Sequence, residues 1–268
     1  ISSSHTTAQR QSMRYIDTHA HLTFPHFEGD VEAVLDRASE AGVELIICVG
    51  TDLDSSHHAV ELADLYPDRV RASVGIHPTA SYGAGAEDIS AIEGMLEHPR
   101  VVAVGETGLD YHHDESTPEQ QKYVFRRHLE LGAEWNKPVI IHSREAEEDT
   151  LEVLRQAESP LRGVRHCFEG SAEMAEKFLD LGLYISFTGL ITRGGREDTK
   201  EAARAVPEDR LLVETDCPFM TPADADRDRN EPALVSHTVE ALASLRGTSA
   251  ESVAEATTRN ARELFLLA

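Results

Sequence analysis

From residue 15 onward, short apolar runs alternate with amphipathic stretches without interruption, and few architectures accept such a chain. The runs are Tyr15–Asp17, Leu45–Val49, Val70–Val74, Val101–Val104, Val139–Ile141, Val164–His166, Leu183–Phe187 and Leu211–Val213. Between them, apolar residues at helical spacing predict helices over Glu28–Ala41, Ser55–Tyr66, Asp88–Glu97, Pro118–Trp135, Glu145–Gln156, Ala172–Leu181, Glu197–Ala205 and Pro232–Leu245. A last helix is expected over about Ala250–Leu267. Gly42, Gly182 and Gly247 stand just past three of these helices, where a left-handed residue ends the last turn. Eight strand-plus-helix units in 268 residues predict an α/β fold, a (β/α)8 TIM barrel forming a single domain over residues 14–268. Residues 1–13 are mostly polar and are expected to be a disordered leader or a cloning remnant.

An open doubly wound sheet permits the same alternation, and the polar residues at the strand ends decide against it. His19 and His21 follow the first run, Glu106 the fourth, His142 the fifth, Asp216 the eighth, and His166 closes the sixth. Along the edge of an open sheet these six would spread over a line too long to share an ion. In a closed ring they converge, and imidazoles with carboxylates at the carboxyl ends of barrel strands are the donors a divalent metal takes. His19 and His21 are two apart, so on an extended chain both project to one side. Glu106 can span two cations, one oxygen on each. One ion would take His19, His21, Asp216 and Glu106; the other would take Glu106, His142 and His166. Two cations about 3.5–4 Å apart polarise a phosphoryl oxygen and lower the pKa of a shared water enough for it to attack near neutral pH. Asp216 is expected to accept the proton and return it to the leaving group, so Asp216 and Glu106 are the candidate catalytic residues. Asp17 either supports the site or hydrogen-bonds within the barrel; Glu214 is expected to hold a histidine or an arginine, and Asp110 to cap a loop.

The sequence also carries seven blocks in a fixed order: Asp-Thr-His-Ala-His-Leu, Val-Gly-Ile-His-Pro, Gly-Glu-Thr-Gly-Leu-Asp-Tyr, Pro-Val-Ile-Ile-His-Ser-Arg-Glu-Ala, His-Cys-Phe-Glu-Gly-Ser, Glu-Thr-Asp-Cys-Pro-Phe-Met-Thr-Pro and Arg-Asn-Glu-Pro. Together they resemble the signature blocks of the TatD-like metal-dependent deoxyribonucleases of the amidohydrolase superfamily, over about residues 15–266. The resemblance implies a TIM barrel with a two-metal site that hydrolyses DNA phosphodiester bonds, often as a 3′-to-5′ exonuclease linked to repair. Single-stranded DNA or 3′ ends are then the expected substrate. The same resemblance puts His19, His21, Glu106, His142, His166 and Asp216 on the metal ligands and His77 near the scissile phosphate; a purely local role for His77 stays open. Arg144 and Arg229 are the cations expected nearest the mouth, where a guanidinium suits phosphate, although Glu145, Glu147 or Asp228 could claim either. Four histidines favour Zn2+ or Mn2+, whereas the family is usually described as using Mg2+.

Charge argues against this substrate at first sight. The net charge is −23, from 48 acidic and 25 basic residues, while phosphate binding draws on Lys and Arg. Glu169, Asp224, Asp226 and Asp228 stand where the family carries small or basic residues, adding negative charge near the mouth. Two divalent ions with Arg144 and Arg229 would offset this locally. Acidic loops would equally suit an amidohydrolase acting on a small cyclic amide, lactone or aminoacyl ester, and an idle barrel serving as a binding scaffold is the non-enzymatic alternative. Only four lysines are present, and three cysteines without a CxxC pair fit a reducing cytoplasm. No apolar run is long enough to cross a membrane and no obligate protein partner is evident. Strong acidity with few lysines points to a salt-loving source, so the melting temperature is expected to rise as KCl screens the surface. A melting temperature that falls with added KCl, read by differential scanning fluorimetry, would remove that idea.

Overall fold

The computed structural model describes residues 13–157 and 160–267. Eight strands pair in chain order, all parallel: β1 (Tyr15–Ala20), β2 (Val43–Val49), β3 (Val70–Val74), β4 (Val101–Asp110), β5 (Val139–Arg144), β6 (Gly163–Arg165), β7 (Tyr184–Phe187) and β8 (Leu211–Val213). The ring is joined between its first and last strands by a parallel bridge from Ala20 to Cys217. Backbone bonds from Asp216 N–H to the His19 carbonyl and from His21 N–H to the Cys217 carbonyl, both 2.9 Å, complete the seam. The expected single-domain (β/α)8 barrel is borne out. The leader expected at residues 1–13 lies outside the described residues except for Met13, which is buried and accepts a hydrogen bond from the Tyr15 hydroxyl on its sulfur.

The connecting helices are α1 (Val31–Glu40), α2 (Leu53–Leu65), α3 (Ala86–Leu96), α4 (Pro118–Glu134), α5 (Glu147–Arg155), α6 (Ala172–Leu179), α7 (Glu197–Ala205), α8 (Val235–Arg246) and α9 (Ala250–Phe265). Their starts carry the expected local chemistry. Asp52 and Ser55 form a capping box on α2, Thr117 caps α4 ahead of Pro118, and Ser171 and Ser249 cap α6 and α9. Gly42 has φ +93°, and a Cβ there would lie 2.5 Å from the Met13 carbonyl oxygen, so only glycine serves. The helix expected from Glu28 begins three residues later. Pro25–Phe27 forms a separate 3-10 turn, and Gly29, at φ +73°, breaks the path into α1.

The apolar residues divide between two clusters. One lies between strands and helices and includes Tyr15, Ile46, Cys48, Val74 and Phe187. The other fills the barrel with Ile16, Ile47, Val49, Ala103, Ile140, Val164, Tyr184 and Leu212, and Ala261, Leu264 and Phe265 of α9 pack against it. The terminal helix therefore plugs the barrel, and buried Asn260 fastens it by donating to the Glu208 and Leu211 carbonyls at 2.7 and 2.9 Å. Truncating Phe265 to alanine should remove part of that plug and cost about 3–5 kcal/mol, read as a lower urea midpoint with an unchanged slope. A loss under about 1 kcal/mol would mean that the plug is not needed.

Candidate metal centre

The mouth of the barrel is a cavity of about 910 Å³ whose lining includes His21, His77, Glu106, Asp110, His142, His166 and Asp216. Strand phase alone would not have aimed His19 toward Glu106 at its floor. Tyr15 packs outward and Ile16 inward, so strict alternation would turn His19 toward the helices. A register shift between Asp17 and Ala20 resets the phase. Asp17 fixes the shifted segment, accepting from the Thr215 N–H and hydroxyl at 2.9 and 2.6 Å and from the His19 N–H at 3.3 Å. Burial lifts the Asp17 carboxyl to about 7 despite those donors.

Glu106 sits at the centre. It lies within β4, which runs on to Asp110 because Thr107–Asp110 pair with Ile141–Arg144 of β5. One carboxylate oxygen, Oε2, is 3.3 Å from His19 Nε2 and 3.7 Å from His21 Nε2. The other, Oε1, is 2.7 Å from His166 Nε2, 2.9 Å from His142 Nδ1 and 3.6 Å from His77 Nε2. Asp216 faces the first set, its Oδ1 3.2 Å from His21 Nε2 and 3.6 Å from His19 Nε2. The six expected ligands are thus brought together, and His77 joins them on the Oε1 side. Their donor atoms include two triads of the kind a cation occupies, the buried His19–His21–Asp216 and the part-buried His77–Glu106–His142. Ring nitrogens also face one another, 3.1 Å apart between His19 and His21 and 3.3 Å between His142 and His166. Lone pairs converging at that distance, on buried or part-buried rings with carboxylates between them, fit divalent cations by the chemistry of the donor set.

Burial works to raise the Glu106 carboxyl, but the imidazoles of His166, His77 and His19 outweigh it and hold the group well below the usual range. Burial likewise opposes a charge on His166, yet Glu106 and Glu214 lift that ring to about 10. His19 moves down, chiefly through burial, whereas Asp216 overcomes burial to move His21 up. A proton bound among these groups is one that a cation displaces, so affinity for metal should depend on pH.

A ring of supports holds the candidate ligands in place. Glu214 Oε1 lies 3.2 Å from His166 Nδ1 and accepts from the Cys167 N–H at 2.7 Å, the role expected of it. Asp110 caps its loop as expected, Oδ1 accepting from the His112 and His113 N–H groups, and its Oδ2 also lies 3.0 Å from His142 Nε2. That second contact orients the ring of His142 and was not legible in the motif. Arg165 was missed as well. Its buried guanidinium donates to the Ser143 carbonyl at 2.6 Å and to the His166 carbonyl, tying together the chain segments that carry His142 and His166. An arginine ending a three-residue buried strand was the available signal.

Of the two expected phosphate cations, Arg144 is exposed and lines the cavity. Arg229 is placed elsewhere: it donates to Asp30 and to the His26 carbonyl, lies over the Phe27 ring, and is not among the lining residues. Arg193 and Arg196 stand on the rim instead, and Arg196 pairs with Glu169, offsetting the acidic residue expected to repel a substrate. Asp224 is met by His237 at 3.1 Å.

The barrel and its donors define a metal-dependent hydrolase. Residues 16–266 match the family model of TatD-related DNases, and the chain belongs to that family. It is 41% identical over 250 residues to the uncharacterized metal-dependent hydrolase YabD of Bacillus subtilis strain 168, covering 93% of this chain and 98% of that one. It is 40% identical over 259 residues to the 3′-5′ ssDNA/RNA exonuclease TatD of Edwardsiella piscicida, covering 94% and 100%. Among solved structures, YJJV, a TatD homologue from Escherichia coli K12, superposes with a TM-score of 0.90 at 34% identity, covering 96% of this chain and 99% of that one. No helix among the described residues is long and apolar enough to cross a membrane.

The segment leading to His77 depends on a buried histidine of α4. His128 Nδ1 donates to the Val124 carbonyl at 2.8 Å, leaving Nε2 to accept from the Ile76 N–H at 3.0 Å. Burial lowers this ring to about 4, below its unfolded value of about 6.5. The unfolded chain therefore binds the proton first, so the stabilisation is complete above about pH 6.5 and is lost as pH falls toward 4. In urea titrations the wild type should lose about 3 kcal/mol more between those pH values than His128→Gln, and parallel losses would remove this role.

Proposed function

We propose that the chain hydrolyses DNA phosphodiester bonds from the 3′ end, with two divalent cations held at the barrel mouth. The observation that carries this reading is the division of Glu106, whose Oε2 faces His19 and His21 while its Oε1 faces His142 and His166. In the proposed arrangement His19, His21, Asp216 and Glu106 hold one cation, and Glu106, His142 and His166 the other. Bound Zn2+, Mn2+ or Mg2+ would supply Lewis acidity toward the phosphoryl oxygen and the attacking water. The chain's own residues do the remainder. Asp216 takes the water's proton on its carboxylate and returns it to the leaving 3′ oxygen. Asp110 and Glu214 keep His142 and His166 aligned through their distal ring nitrogens. His77 Nε2, directed into the cavity with Nδ1 2.7 Å from the Thr79 hydroxyl, contacts a non-bridging oxygen of the scissile phosphate. Arg144 meets the neighbouring phosphate.

The relatives named as ssDNA/RNA exonucleases support a nucleic-acid substrate, and a single-stranded 3′ end is the form we infer. A part in DNA repair and a cytoplasmic location go with this reading, the latter supported by three free cysteines. A second reading, hydrolysis of a small cyclic amide, lactone or aminoacyl ester, rests on Glu115, Glu145, Glu147 and Glu169 lining the same cavity.

A 5′-labelled single strand incubated with Mn2+ or Mg2+ should shorten stepwise, while a panel of lactones and cyclic amides stays intact. The opposite pattern would transfer the site to the second reading. His142→Ala should lower turnover at least a hundredfold and reduce metal content measured by plasma mass spectrometry, with the circular dichroism spectrum unchanged. Asp216→Asn should keep at least one ion per chain yet lose hydrolysis by a similar factor. Full activity in Asp216→Asn would remove its proton-transfer role.

A further inference from the structure

An aromatic ledge borders the metal centre, and the mechanism above makes no use of it. Phe24 stacks on the ring of His21, with centroids 4.6 Å apart and planes at 19°. Phe219 meets Phe24 edge-on at 6.0 Å, and His26 meets Phe219 in the same manner at 6.0 Å. Both phenylalanines line the cavity, and Phe219 is 45% exposed. A single exposed apolar side chain needs no explanation, but this one is fixed in place. Its N–H donates to the Asp216 carbonyl at 3.1 Å, and its own carbonyl accepts from the buried side chain of Asn230. Asn230 also holds the Thr215 carbonyl at 2.8 Å, and the neighbouring Glu231 is clamped by Arg37 and Arg227. The loop that supplies the candidate ligand Asp216 thus presents a rigid, half-exposed ring from one anchored segment.

We propose that Phe219, backed by Phe24, is the stacking platform for the nucleobase beside the scissile phosphate. This rests on the phosphodiesterase reading above and names how that substrate is gripped. Phe219 is two ring contacts from His21, through Phe24, and a base attached to a phosphate at the centre would rest over its ring. Arg144, Arg193 and Arg196 rim the same cavity and suit the backbone of the strand. Every base has a π-face, so the platform accepts any sequence, and it requires an unpaired base that can leave its own stack. With the chain at −23 overall, stacking also supplies affinity that a basic groove supplies elsewhere.

The test compares a labelled oligothymidylate with the same strand carrying two abasic 3′-terminal nucleotides. Wild type should prefer the base-bearing end by about tenfold in kcat/KM, the range expected for one base on a half-exposed ring. In Phe219→Ala, KM for the base-bearing strand should rise about five- to thirtyfold and the preference should shrink toward one, while Phe219→Trp keeps it. Binding is read separately by anisotropy, with Asp216→Asn against Asp216→Asn/Phe219→Ala, so that turnover does not enter. Cutting by wild type with an undiminished preference in Phe219→Ala overturns the platform and leaves the nuclease reading standing. A wild type that neither binds nor shortens the strand overturns the nuclease reading, and the platform falls with it.

Discussion

A carboxylate buried among imidazoles is the constraint around which this molecule is organised. Glu106 is 2% exposed, and removing its charge from water costs several kcal/mol unless opposite charge or good donors return it. The imidazoles of His19, His142, His166 and His77 do so from other strand ends, each at a distance that a displacement of one ångström would spoil. Only a closed ring brings strands one, three, four, five and six around a common point, which is why the seam between β1 and β8 matters to the chemistry. Asp17 and Thr215 stitch that seam directly behind His19 and Asp216.

Charge is distributed so that the site does not share the character of the whole. The rim places Arg144, Arg193 and Arg196 around a mouth floored by imidazoles, and Glu169 is spent on Arg196. Asp30 and Glu231 are likewise occupied by Arg37 and Arg229, a clasp between α1 and the loop after β8. These three carboxylates therefore act as struts, and the net charge of −23 is not all presented to a phosphate at the mouth.

The architecture and the convergence of six donors were legible in the sequence because both follow from one period. Apolar runs bury strands, and a polar residue just past a run has to lie at an end of the ring. What was hidden depends on pairing between strands. Alternation could not reveal the register shift that turns His19 inward, because a shift exists only relative to a neighbouring strand. The length of β4 was hidden for the same reason: polar Thr107 and Asp110 continue the strand because β5 offers them partners. Proximity in sequence misdirected the choice of Arg229, which a carboxylate 199 residues away had already claimed, whereas Arg193 and Arg196 sit in a loop with no motif to mark them.

Stability and chemistry occupy different parts of this barrel. Apolar side chains of α9 close the core, with Asn260 satisfying backbone carbonyls around β8. The mouth, by contrast, stores cost: a displaced register, a carboxyl lifted to about 7 at Asp17, and an arginine buried beside His166. Such features persist only where surrounding structure over-determines them. That explains why the supports of the site (Asp17, Asp110, Arg165, Glu214 and Asn230) are themselves buried and hydrogen-bonded to backbone. A ligand sphere held by side chains alone would loosen with every rotamer change. One held through backbone groups moves only if the barrel does.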